Sequence, residues 1–326
     1  MSKYRDYVRE DFNNYLNVYQ AYNEAIIELA KYNERIVLLY ADFPSDSAGE
    51  FFRKYYPHRI YDVGIAEGNM ITLAAGLAAA GLIPFTHCHG IFAVGRAYNQ
   101  IRQIAYDKLN VKIVMCNCGM LWPFMGASHQ LIEDLAALRA IPNLVILSPA
   151  DAVETRKIVK ASLDHEGPVV IRLYNPPVPT IYEDNYHYVM GKATIIREGT
   201  DVAVFATGVL VYEALIATKI LEKEGIDVRL YDIHTIKPLD ESSVLNAAKE
   251  CGAVVTVEDG NIYGGLGGAI AEVLAENYIV VPFKRVGVRN VFGRSGGVED
   301  LKEFYGLSAK YIVNAVKEVL KLKRKT

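Results

Sequence analysis

GIAEGNMITLAAGLAAAG (residues 64–81) joins a turn to a helix and sets one carboxylate, Glu67, at the join. From Asn69 to Gly81 apolar and small residues recur at three- and four-residue spacing, which predicts a helix. Its Ala and Gly content predicts close packing against a neighbouring helix. Outward from it lie short β-branched runs, RIVLLYAD (35–42), VKIVMCN (111–117), NLVILSP (143–149) and PVVIRLY (168–174), which read as buried strands. A second helical pattern, AYNQIRQIAYDKL (97–109), falls between them. This alternation predicts a parallel sheet with crossover helices.

The composition changes at NPPVPTIYEDNYHYVMGKA (175–193), which is rich in Pro, Tyr and polar residues and reads as a linker. Beyond it TDVAVFATG (200–208), DVRLYDIH (227–234), AVVTVED (253–259) and FKRVGV (283–288) repeat the strand–helix alternation. The expected architecture is α/β with two domains, residues 1–185 and 186–326, each a mostly parallel sheet flanked by helices. A chain of 326 residues with 51% apolar content has the material for one or two cores.

The net charge is −3, from 35 basic and 38 acidic residues interspersed along the chain. The basic tail KLKRK (321–325) reads as a solvated helix end, so neither a nucleic acid nor a membrane partner is implied. MSKYRDYVREDFNN at the start lacks an apolar signal core, and no apolar run reaches the roughly 18 residues that span a bilayer. The chain therefore reads as cytoplasmic. Cys88, Cys116, Cys118 and Cys251 do not make a disulfide framework, and the C-x-C pair lacks a second ligand pair of zinc-site spacing. Oxidation of Cys88, Cys116 or Cys118 would block a nearby site; buried structural thiols are the plainer reading.

Two further segments follow Glu67: HGIFAVGRAYNQIR (89–102) and GASHQLIEDL (126–135), which carries His129. An acidic residue on a turn, an aromatic loop and a loop histidine together make a candidate site for a heterocyclic cofactor. Each has a plain structural alternative: a helix-start Glu favoured by the macrodipole, a core Phe, a structural loop His. EDGN (258–261) opens into GGLGGAIAEVL, whose glycines suit close helix–strand packing better than a nucleotide loop.

In these motifs the chain resembles the C-terminal half of transketolases and 1-deoxyxylulose-5-phosphate synthases. The family pattern is roughly G-I-x-E-x-x-M, then a Phe loop before R-A-[YW]-x-Q, then G-x-[ST]-H-Q. The likeness runs from about residue 15 to about 320 and includes ALRAIPNLVILSPADAVET (137–155), HTIKPLD (234–240) and GVRNVFGRSG (287–296). It implies a thiamine diphosphate pyrimidine-binding fold followed by a transketolase C-terminal domain. It also implies transfer of a two-carbon ketol or related acyl unit from a ketone donor to an aldehyde acceptor through a thiamine diphosphate ylide.

The resemblance assigns Glu67 to the cofactor's aminopyrimidine N1′, with Ile65, Phe92 and His89 as further cofactor contacts and Phe92 stacked on the ring. A carboxyl in an apolar cleft suits sharing that proton. His129 would face the reacting carbon, as a hydrogen-bond donor or proton carrier. His89 stands where the family usually has a second Phe, and with His87 it flanks Cys88 in an H-C-H run better suited to substrate contact or proton transfer than to metal. The family's G-D-G…N segment, which holds Mg²⁺ and the diphosphate, does not occur in the sequence. The resemblance thus implies a separate N-terminal, diphosphate-binding subunit that supplies the Mg²⁺ ligands, an α2β2 heterotetramer, and no metal ligand in this chain.

Four substrate-side positions depart from the family. Tyr19 and Asn175 replace arginines, Asn117 replaces a histidine and Met125 an aspartate, while Arg172 persists. Arginine forks suit phosphate, so this pattern implies a donor other than an ordinary phosphoketose. Three alternatives stay open: a 2-oxo acid dehydrogenase β subunit, a deoxyxylulose-phosphate-synthase-like subunit, and a non-catalytic partner.

Overall fold

The computed structural model describes residues 3–42 and 48–324. Seven strands form the first sheet, in the spatial order Thr235–Lys237, Val145–Leu147, Val169–Arg172, Lys112–Cys116, Ile83–His89, Ile36–Tyr40 and Ile60–Asp62. Neighbours run parallel except Thr235–Lys237, which lies antiparallel to Val145–Leu147. Ile36–Tyr40 and Lys112–Cys116 are buried along their whole length because helices cover both faces. That double burial explains their unbroken apolar runs. The second sheet has the order Phe283–Val288, Val254–Asn261, Val202–Ala206, Val228–Asp232 and Thr194–Arg197, with only the last strand antiparallel.

The helix Glu67–Ala79 forms as the sequence predicts, and Met70, Ile71 and Ala74 are its buried face. It packs on the helix Gly90–Tyr106, which starts seven residues before the predicted Ala97. A Cβ on Gly68 would come within 3.3 Å of Gln100 and 3.6 Å of the Arg96 carbonyl, so glycine permits the close approach. IPFTHCH (83–89) was not anticipated as a strand. Its threonine and histidines break the apolar signature, yet it is central in the sheet and buried to Cys88.

Residues 175–193 are a packed seam rather than a loose connection. Val178–Pro179 pairs with Tyr15–Leu16, and Ile181, Tyr182 and Tyr186 are buried. The Tyr182 and Tyr186 rings stack with centroids 4.0 Å apart. Their hydroxyls donate to Asp232 Oδ2 and Glu154 Oε1, both at 2.7 Å. The Tyr-rich composition therefore serves burial. One apolar cluster crosses the two halves, joining Met120, Ile132 and Tyr174 to Leu210, Val257 and Leu301. Among the described residues no helix is long and apolar enough to cross a membrane.

Candidate active site

The segments that follow parallel strands converge at the carboxyl end of the first sheet, where open α/β sheets bind ligands. Glu67 lies just past Ile60–Asp62, His89 ends Ile83–His89, Asn117 follows Lys112–Cys116, and Asn175 follows Val169–Arg172. Gly64 takes φ +68° and its N–H donates to Asp62 Oδ1 at 2.9 Å, turning the chain into the helix that Glu67 begins. Glu67 is 4% exposed and begins the helix Glu67–Ala79. Ile65, two residues earlier, is 72% exposed.

Phe92, His89 and His129 form a triangle of rings. His89 meets Phe92 at 5.7 Å and His129 at 5.2 Å, and Phe92 meets His129 at 5.2 Å, each pair edge to face. Arg96 lies 5.6 Å from the Phe92 ring centroid. The Asn117 side-chain amide nitrogen is 2.7 Å from His89 Nδ1. Burial and the neighbouring His129 lower the His89 pKa to about 4, so the ring is neutral at pH 7.

His129 sits at the end of the short 3₁₀ turn Gly126–Ser128, and its Nδ1 is 2.9 Å from Ser128 Oγ. The Ser128 hydroxyl donates to the Met125 carbonyl at 3.0 Å. Having given its single proton there, Oγ acts as acceptor toward His129 Nδ1–H. Sequence reasoning missed Ser128 in this role, although the G-x-[ST]-H-Q pattern contains it. The loop is held from the second domain: Gln130 Nε2 donates to the Trp122 carbonyl at 2.8 Å and the Arg294 carbonyl at 3.1 Å. Ser295 Oγ donates to the Phe124 carbonyl at 3.0 Å. A Cβ on Gly293 would fall 1.5 Å from Gln130 Oε1, which accounts for the glycine in VFGRSG.

The substrate-side candidates separate into two groups. Tyr19 and His87 are 4% and 1% exposed, and the Tyr19 hydroxyl is hydrogen-bonded to His87 Nε2. Cys116 Sγ lies 3.1 Å from the same nitrogen, and Tyr22 stacks on the ring at 5.7 Å. Burial, with His89 nearby, lowers the His87 pKa to about 3. These residues form a neutral layer behind the ring triangle. Asn175 accepts from the Asn17 amide through its carbonyl, at 2.5 Å. Met125 is 52% exposed beside Phe124.

Arg172, the arginine retained from the family's phosphate-binding pair, is committed elsewhere. Its guanidinium donates to Asp134 Oδ2 at 2.5 Å and Asp259 Oδ1 at 2.7 Å, with all three side chains buried. The EDGN segment is structural in the same way. Glu258 accepts the N–H groups of Leu266 and Gly267, both at 2.9 Å, at the start of the helix Leu266–Glu276. Burial raises Cys88, Cys116 and Cys118, so none is poised as a thiolate. Among the described residues no three His, Cys, Asp or Glu side chains are grouped to hold a metal ion.

The transketolase pyrimidine-binding domain matches residues 14–179, and the transketolase C-terminal domain matches residues 191–312. The chain belongs to the transketolase family. It is 44% identical to a 6-deoxy-6-sulfo-D-fructose transketolase subunit of Clostridium sp. (strain MSTE9), across 93% of this chain and 94% of that protein. It is 41% identical to a putative transketolase C-terminal section of Methanocaldococcus jannaschii, across 94% and 97%. A solved split-gene transketolase, described as an inactive β4 tetramer, superposes with a TM-score of 0.88 at 44% identity, covering 94% of this chain and 99% of that one. As a transketolase-family member this chain is a transferase subunit.

Proposed function

We propose that the chain is the pyrimidine-side subunit of a split transketolase, moving a two-carbon ketol unit from a ketose donor to an aldehyde acceptor. The observation that carries this reading is Glu67: a carboxylate residue only 4% exposed, at a helix start at the carboxyl end of the first sheet. A carboxyl in this cleft can share a hydrogen bond with a ring nitrogen of a ligand that enters it. Thiamine diphosphate fits, and when bound it supplies the carbanion centre that takes up the two-carbon unit. Glu67 would share a proton with its aminopyrimidine, while Phe92 and Ile65 give the ring an apolar wall. His129 would accept and return protons on the donor through Nε2, because Ser128 holds Nδ1–H.

Mg²⁺ and the diphosphate would be held by a separate N-terminal subunit in an α2β2 assembly. Exposed Ile65, Phe124 and Met125 beside the site suit coverage by another chain. We place the boundary between the pyrimidine-side and C-terminal domains at residue 185. The four buried free cysteines suit a reducing compartment, and we assign the enzyme to the cytoplasm and to carbohydrate metabolism.

The donor we propose is not an ordinary phosphoketose. Arg172 is neutralised by two aspartates, and Tyr19, His87, His89, Asn117 and Asn175 bring no cation at pH 7. The relative that acts on a sulfonated fructose supports a changed donor. The test is a donor panel with the reconstituted pair of subunits. Preferential turnover of a donor without a phosphate ester is expected, and full-rate use of xylulose 5-phosphate would refute the altered-donor reading.

A further inference from the structure

We infer that Asn117 and His89 work as one unit: the Asn117 amide fixes His89 with its proton on Nε2, opposite to the tautomer that Ser128 imposes on His129. The inference rests on the ketol-transfer reading for its use, but not for its geometry. Asn117 stands one residue past the strand Lys112–Cys116 and is 1% exposed. Its φ of +57° is left-handed, a conformation that Asn accepts more readily than most residues. That turn brings its amide nitrogen to 2.7 Å from His89 Nδ1. An amide N–H only donates, so Nδ1 is the acceptor and Nε2 carries the ring proton. Asn117 Oδ1 is buried with no partner among the described residues.

Two departures from the family, the imidazole gained at 89 and the one lost at 117, are therefore in direct contact. The result is two imidazoles with ring centroids 5.2 Å apart, one turning an N–H toward the gap and the other, with Nδ1–H held by Ser128, turning Nε2. Among the described residues, the groups that bear on the His89 ring include His129 across the gap, His87 on its own strand, Phe92 on the helix and Asn117 on the next strand; Arg96 lies beyond Phe92. A donor–acceptor pair of this kind matches an α-hydroxyketone, whose carbonyl accepts from His89 while its hydroxyl gives to His129. It suits a 2-oxo acid carboxylate poorly. Asn117 is a positioning residue, and His89 is the residue that touches the donor.

Magic-angle-spinning spectra of ¹⁵N-histidine-labelled protein read which ring nitrogen is protonated, with His89→Gln and His129→Gln giving the assignments. At pH 7 the expected result is Nε2–H for His89 and Nδ1–H for His129. Asn117→Gly keeps the left-handed backbone without strain and should return His89 to mixed tautomers; Asn117→Asp should move its proton to Nδ1. An Nδ1–H His89 in the parent, or a tautomer indifferent to both variants, overturns the proposal.

In the complex with the diphosphate-binding subunit, Asn117→Gly should lower kcat/KM for a ketose donor at least tenfold. Combined with His89→Gln it should add no further loss. Losses that multiply, or stay under twofold, overturn the substrate role. Absence of ketose turnover in the parent, with the tautomers as stated, would count against the ketol-transfer reading alone, because the spectra need no turnover.

Discussion

Glu67 is the residue on which the proposed chemistry turns. Glu67→Gln keeps size and burial but cannot share a proton as a carboxyl does. The expected effect is a fall in kcat of about 10²–10⁴-fold with the fold intact, checked by steady-state kinetics and by circular dichroism of the variant. His129→Ala should lower kcat by about 10²-fold or more, whereas Ser128→Ala, which frees the tautomer but leaves the ring, should cost less. Ranking the three variants by kcat tests both assignments. Glu67, Phe92 and His129 stand out as candidates in the sequence because each sits in a short motif with fixed local spacing. The His89–Asn117 contact does not, because it joins neighbouring strands and depends on a left-handed backbone at Asn117 that no local pattern marks.

At the scale of elements, apolar runs gave the strands that are buried on both faces and concealed those that are not uniformly apolar. Ile83–His89 ends in the mixed run His87, Cys88 and His89, and Thr235–Lys237 lies at an edge, so neither has a strand signature. The 175–193 segment reads as a linker because Pro and polar residues dominate, yet its tyrosines close over buried carboxyls. Burial raises Asp232 from 3.8 to about 7, and burial together with the neighbouring Asp232 raises Glu154 well above the usual carboxyl range. For such an acid the folded state binds more protons than the unfolded chain between about pH 4 and pH 7. Its contribution to stability is complete below that window and is lost as pH rises through it. Asp232→Asn keeps an acceptor for the Tyr182 hydroxyl and removes the titration. The variant's Tm relative to the parent should therefore rise between pH 5 and pH 8, as measured by thermal scans at several pH values.

At the scale of the whole molecule the two α/β units act as one support for the site. The second domain pins the His129 loop through Arg294 and Ser295, and Asp259 reaches Arg172 across the seam. Removing Arg172 leaves Asp134 and Asp259 facing each other as buried charges. Arg172→Met should destabilise the chain by about 3–5 kcal/mol, read from denaturant unfolding. A loss that small surface pairs show, under about 1 kcal/mol, would mean the network is dispensable. The sequence carried this interdomain network poorly: Arg172 read as a remnant of a phosphate site, and only the fold brings two aspartates from distant segments to it.

The account's central claim is that this chain supplies the pyrimidine side of a split ketol transferase and needs a second subunit for the other. The most direct measurement is ketol transfer by the chain co-expressed with a diphosphate-binding subunit, given thiamine diphosphate, Mg²⁺, a panel of ketose and 2-oxo acid donors and an aldehyde acceptor, beside Glu67→Gln. The account predicts turnover of a ketose donor by the complex, none by this chain alone, and loss of about 10²-fold or more in Glu67→Gln. Turnover of 2-oxo acids only, or equal rates with Glu67 and with Gln at that position, would contradict it.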